Sequence, residues 1–180
     1  MNTALGIDPS YTGTGLVLLE LDTGEVIKQI LIKTQASQSI IDRVRLIISK
    51  INNFLPYAAL DIIVIEGFSY GSPQHAHQMG YLGFRIREAL GGYKIIEPSP
   101  NQVKKFATGK GNAEKDTIIK EVYKRWNFDT NNNNISDAFV MAQIGRAYLG
   151  EVEGLTGFQL ETIASLKNPK PVKKTRKKVE

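Results

Sequence analysis

Three carboxylates stand at places in the chain where a divalent cation can be held. Asp8 follows the apolar run 3–7, Glu66 ends the β-branched run DIIVIE (61–66), and Asp137 begins a strongly helical stretch. Hard oxygen ligands of this kind, in a chain without cysteine, suit Mg²⁺ or Mn²⁺ rather than zinc. A cation so bound polarises a phosphoryl oxygen and lowers the pKa of its water, which is what phosphodiester hydrolysis requires. Singly, each acid has a plainer role. Asp8 before Pro9 suits a turn, Glu66 before Gly67 a solvated strand end, and Asp137 a complement to a helix dipole. Only their convergence argues for a site, so the question passes to the elements that carry them.

Residues 3–7 read as a short buried strand. Strands over 15–21 and 25–33 follow, joined by the turn signal Asp22-Thr23-Gly24. The apolar period then changes to that of a helix over 38–55, through Ile40, Ile41, Val44, Ile47, Ile48, Ile51, Phe54 and Leu55, with Pro56 beyond its end. Residues 61–66 form a strand buried on both faces. A helix over 74–90 closes at Gly91-Gly92, and a strand spans 93–97. Pro98 and Pro100 open a loop, helices cover 113–126 and 136–149 with a polar break at 131–134, and a last helix spans 157–166. This order predicts an α/β fold: a mixed five-stranded sheet, a three-strand meander followed by βα units, with helices on both faces. A right-handed crossover sets strand 61–66 parallel to the first strand. Neighbouring strands lie ~4.8 Å apart, so Asp8 and Glu66 would reach one cation.

Composition narrows the class. The 180 residues are 42% hydrophobic and 23% charged, as expected of one globular domain, with no apolar run that spans a bilayer. A cytoplasmic location fits a chain free of cysteine and without a signal-like N-terminus. The net charge of +5 belongs to the end of the chain: residues 167–180 carry +6, and residues 1–166 are −1. The expected organisation is one domain over 1–166 and a disordered basic tail over 167–180. Such a tail raises encounter rate and salt-dependent affinity for nucleic acid without a fixed structure.

Within the body, Asn101–Trp126 holds Lys104, Lys105, Lys110, Lys115, Lys120, Lys124 and Arg125 against Glu114, Asp116 and Glu121, a local excess of +4. With Gly109 and Gly111 allowing close backbone approach, it reads as a phosphate-contacting segment; a solvated helix face is the bland reading for Lys120, Lys124 and Arg125. Phe68 and Tyr70 lie among Gly67, Gly71 and Pro73, where an aromatic either stacks on unpaired bases, worth ~1–3 kcal/mol per base, or packs in the core. His75 and His77, spaced i, i+2, do not share a helix face, and Trp126 reads as core. Ala76, Met79, Gly80, Gly83 and Phe84 give the helix over 74–90 a small-residue surface that suits close packing within or between chains.

Four segments in this order, GIDPSYTGTG (6–15), VIEGFSYG (64–71), PSPNQVKKFATGKGNAEKD (98–116) and NNISDAFVMA (133–142), resemble the RuvC-type Holliday junction resolvases. The first alone also resembles the opening of sugar kinases and actin-like ATPases, which need two such domains around a nucleotide cleft. The resemblance implies an RNase H-like fold. It also implies a homodimer that nicks four-way DNA junctions in pairs, with two Mg²⁺ ions per site (Mn²⁺ substituting), leaving 5′-phosphate and 3′-hydroxyl ends. Asp8, Glu66 and Asp137 would be metal ligands. Lys104 and Lys115 would contact the phosphates near the cut, with Lys105 and Lys110 beside them, and Phe68 or Tyr70 would stack at the crossover. The helix over 74–90 would lie at the dimer interface. One position departs from the pattern. Three residues before Asp137 the family carries an acid or a histidine, and here stands Asn134. Asn134 ligates through its amide oxygen, or Asp129 or a water replaces it, or the chain binds junctions with little catalysis. A phage or prophage version fits the small size, the tail and the altered acid set.

Overall fold

The structure, a computed structural model, describes residues 2–55, 60–68 and 73–169, excepting the side chains of residues 73–75. Pro56, Tyr70, Gly71, the tail from Lys170 onward and the side chains of Pro73 and His75 therefore lie outside the described residues.

Three antiparallel strands come first: β1 (Thr3–Asp8), β2 (Thr14–Glu20) and β3 (Val26–Ile32). After α1 (Ile40–Phe54), strand β4 (Ile62–Ile65) returns parallel to β1 as its direct neighbour, with Ile7 opposite Ile65. Helix α2 (Pro73–Ala89) then leads to β5 (Ile95–Ile96), parallel to β4, so the sheet runs β3-β2-β1-β4-β5. Four helices complete the described chain: α3 (Pro100–Thr108), α4 (Lys115–Trp126), α5 (Asn133–Leu149) and α6 (Gly157–Lys167). None of the described helices is long and apolar enough to cross a membrane.

Strand alternation divides the core in two. Leu5, Ile7, Ile63 and Ile65 face α1 and α2, where Val44, Ile47, Ile51, Leu82 and Ile86 meet them. Val17, Leu19 and Val64 face α5, which is covered in turn by Val103, Phe106, Ile118, Val122 and Ile163 from α3, α4 and α6. Helix α5 is thus enclosed on nearly all sides. From Ile135 to Ala147 every residue except Asp137 is buried.

Two glycines let α5 lie this close. A Cβ on Gly6 would stand 1.9 Å from the Ala138 carbonyl oxygen, and one on Gly15 would stand 2.2 Å from that of Asn134. At the other end of α5, Arg146 is buried and donates to the carbonyls of Leu21 and Asp22, tying the helix to the β2–β3 turn.

Three sequence expectations need correction. The loop expected after Pro98 is the helix α3: Ser99 caps it, Pro100 occupies the first turn, and Gln102 reaches back to the Ser99 backbone N–H at 2.8 Å. Proline there starts a helix instead of breaking one, since the first-turn N–H has no partner to lose. The polar break at 131–134 is the start of α5, where the Asn132 side chain accepts from Ile135 N–H at 3.1 Å. Ile41, placed on the apolar face of α1, is 52% exposed because the core takes the arc centred on Val44, Ile47 and Ile51.

Candidate active site

Register and alternation bring the acids together. Asp8 and Glu66 are the next pair after Ile7 and Ile65, and the Glu66 N–H points to the Ile7 carbonyl at 3.4 Å. Counting by twos, Asp8 shares the sheet face of Ala4 and Gly6, and Glu66 that of Ile62 and Val64. That is the α5 face: Gly145 packs on Val64, Ile62 and Ala4, and Gly6 touches Ala138. The N-terminal part of α5 crosses this edge, so Asp137 faces the two strand ends.

Electrostatics agree with the geometry. Burial is the largest cause that holds Asp8 well above the ordinary carboxylate range, followed by the charges of Asp137 and Glu66. Glu66 is pushed up to about 7, by burial first and then by Asp137, with Lys104 and Lys115 opposing. Asp137 is pushed up to about 6 by burial, against Lys115 and Lys104. Asp129 is exposed and is not among the charges acting on the three.

A divalent cation fits this set. Three recessed acids that resist ionising together form a hard-oxygen donor group short of positive charge. Asn133, four residues before Asp137 on the same side of α5, has a buried Oδ1 with no hydrogen-bond partner. Asn134 is anchored differently, its amide nitrogen donating to the Gly13 carbonyl. Among the described residues no three acidic or histidine side chains already stand at ligating distance of one point.

The same electrostatics make a thermodynamic prediction. Glu66 has an ordinary value near 4.5 and a folded value of about 7, so the folded state binds its proton more tightly than the unfolded chain does. The stability this group contributes is present below its ordinary value and is lost as pH rises through the folded one. Glu66→Gln, which cannot ionise, is expected to melt with wild type in EDTA at about pH 4 and above it at about pH 8. Equal melting temperatures at the higher pH would overturn the electrostatic reading.

The cationic residues divide. Lys104, half-buried on α3, and Lys115, exposed at the start of α4, act on the acids. Lys105 lies on the next face of α3 and pairs with Glu161 of α6 at 2.6 Å. Lys110 is exposed between α3 and α4. Arg125 is structural: it pairs with Glu121, donates to the Ala107 carbonyl at 2.9 Å and lies over the Phe158 ring. Gly109 ends α3 in the left-handed region at φ 83°, a helix-terminating role that needs no phosphate.

Phe68 does not extend from the loop. Its ring packs on α2, 4.9 Å from Phe84 and 4.2 Å below the Arg87 guanidinium. Gly83 makes room for that ring, since a Cβ there would be 2.6 Å from Phe68 Cε1. Trp126 is half-buried and stacks on Phe106 at 6.3 Å. Arg87 and its partner Glu97 escaped the sequence reading. A lone Arg and Glu ten residues apart carry no spacing signal, and only the helix-to-strand packing joins them.

Comparison with known proteins gives the arrangement its context. Residues 4–144 match the family described as crossover junction endodeoxyribonuclease RuvC. A protein of that name from Chlamydia muridarum is 28% identical over 148 residues, covering 77% of this chain and 87% of its own. One from Rickettsia felis is 32% identical over 120 residues, covering 64% and 77%. The solved Thermus thermophilus RuvC structure has the same fold, with a TM-score of 0.68 at 21% identity over 83% of this chain and 97% of that one. The T. thermophilus RuvC complex with a Holliday junction substrate superposes with a TM-score of 0.64 at 22% identity, over 78% of this chain and 90% of that one.

Proposed function

The chain belongs to the RuvC family of crossover junction endodeoxyribonucleases, and from that premise we propose that it is a Mg²⁺-dependent endonuclease resolving four-way DNA junctions. The observation that carries the reading is the meeting of Asp8 and Glu66, at the ends of neighbouring strands, with Asp137 of α5, Lys115 acting on all three and Lys104 on Glu66 and Asp137.

The three acids would hold the metal, with Asn134 or Asn133 adding a neutral amide oxygen. The bound metal supplies Lewis-acid polarisation of the phosphate and an activated water. Lys104 and Lys115 approach the phosphate as point charges and offset the charge that develops on its oxygens. Their charge also opposes the upward push on Glu66 and Asp137. Phe68 contributes an aromatic face beside the cut. Paired nicks, leaving 5′-phosphate and 3′-hydroxyl ends, require two copies. Met79 and Phe84, exposed on α2 beside Gly80 and Gly83, with Phe84 at 66%, supply an apolar surface for a homodimer.

The test is cleavage of a labelled four-way junction beside a linear duplex of the same sequence, with Mg²⁺ and then Mn²⁺. Symmetric nicks confined to the junction support the reading. Binding without cuts in either metal supports the second reading, junction recognition with little catalysis, which Asn134 favours. Asn134→Asp then decides the role of that position. Its added charge is expected to lower the Mg²⁺ needed for half-maximal cleavage by roughly tenfold. It also loses the donor to Gly13 and adds a fourth repelling acid, so metal-free stability falls. An unchanged Mg²⁺ requirement would exclude position 134 from the metal site.

A further inference from the structure

Arg87 ties together several segments of the chain around Glu66. It sits in the last turn of α2, and its side chain is only 14% exposed. Nε donates to Glu97 Oε1 at 2.9 Å and Nη2 to Glu97 Oε2 at 3.0 Å, a two-pronged pairing that fixes the plane of the guanidinium. Nη2 also donates to the main-chain carbonyl of Glu66 at 3.1 Å, and Nη1 to that of Gly83 at 3.0 Å. The face of the group lies 4.2 Å from the Phe68 ring centroid. One residue therefore joins α2, the end of β4, the residue after β5 and the aromatic of the following loop. Gly67 N–H to the Pro98 carbonyl, at 2.8 Å, closes the same seam beside it.

From this geometry we infer that Arg87 is a positioning residue for the cut, fixing the Glu66 main chain against Glu97 and seating Phe68 on α2. The inference rests on the reading of Glu66 as a metal ligand and of Phe68 as a DNA-contacting aromatic. The physical case is one of rigidity. Glu66 lies one residue past the end of β4, where only the 3.4 Å contact to Ile7 ties its N–H to the sheet. Arg87 supplies the anchor on the carbonyl side, so the carboxylate leaves a backbone held at both ends. A misplacement of about 1 Å in such a group costs on the order of a hundredfold in rate. Lysine cannot take over, because one ammonium lacks the planar fork that spans Glu97 and the Glu66 carbonyl together. Phe68 is held by the same group: Gly83 leaves the space, Phe84 abuts the ring at 37°, and Arg87 covers it.

The experiment compares wild type, Arg87→Ala, Arg87→Lys and Gly83→Ala, each first shown to be folded by circular dichroism and thermal melting. Two quantities are read. One is the Mg²⁺ dependence of single-turnover junction cleavage. The other, in Ca²⁺ without cleavage, is the fluorescence of 2-aminopurine placed at the crossover, which reports stacking on that base. Arg87→Ala and Arg87→Lys are both expected to slow cleavage by ~10–100-fold and to raise the Mg²⁺ requirement, with the 2-aminopurine signal altered. Gly83→Ala crowds the ring hardest, at 2.6 Å, and Arg87 Nη1 less, at 3.1 Å, so its fluorescence changes while its Mg²⁺ requirement rises less than that of Arg87→Ala. A folded Arg87→Ala protein that cleaves like wild type at every Mg²⁺ concentration overturns the inference, as does full rescue by lysine. A wild type that binds junctions and never cuts them instead overturns the nuclease reading, and the fluorescence arm then decides the Phe68 seat alone.

Discussion

Asp8→Asn is expected to reduce junction cleavage by roughly 10³-fold or more, about 4 kcal/mol of lost transition-state stabilisation, while junction affinity in Ca²⁺ stays within about threefold of wild type. The substitution keeps shape and removes one of three charges. Asp8 is the acid most opposed by its surroundings, since burial, Asp137 and Glu66 all act against its ionisation. Its ionised form is costly there unless a cation offsets it. The same variant should therefore melt higher than wild type in EDTA at about pH 8, because an amide carries no charge to desolvate. Loss of activity joined to a gain of metal-free stability is the signature of a site built for an ion. Unchanged cleavage would remove Asp8 from the metal site, and lower stability in EDTA would show its carboxylate serving the fold.

The second large effect is on folding. Gly6→Ala is expected to cost upwards of about 4 kcal/mol, a large share of the roughly 5–15 kcal/mol that holds a domain folded. The added methyl would lie 1.9 Å from the Ala138 carbonyl oxygen and 2.6 Å from the Ala142 nitrogen, both main-chain atoms of α5. No rotamer relieves a clash between a Cβ and a backbone. Helix α5 must lift from β1, and Asp137 leaves the other acids with it. Gly157→Ala, at the exposed start of α6 with nothing within 4 Å of the new atom, is the control and should shift the urea midpoint little. A Gly6→Ala protein with a wild-type midpoint would show that α5 does not lie against β1 in this way.

These two substitutions mark what was legible along the chain and what was not. Asp8 and Glu66 at strand ends were readable because β-branched runs announce buried strands and a right-handed crossover sets them side by side. Asp137 was readable as an acid near the start of a helix. Its role as the single residue from 135 to 147 left unburied was not, because that depends on what covers α5. Helix α3 carries a start signal, Ser99-Pro100 followed by Gln102, but two prolines so close together suit a loop as well, and the capping contacts decide between them. Lys105 lies beside Lys104 in sequence, yet successive helical residues diverge by about 100°, so one acts on the acids and the other pairs with Glu161.

The sequence by itself determined the order of the strands and of every helix but α3, the mixed five-stranded sheet, the three acids and the charge of the segment that holds Lys104 and Lys115. Local patterns decide these, since hydrophobic period and turn chemistry act over a few residues. Tertiary structure alone decided which lysines act on the acids, where the Phe68 ring rests, and that Arg87 and Glu97 brace Glu66. Each of these depends on contacts between segments far apart in the chain, and distances of that kind are set only when the sheet and its helices have closed on one another.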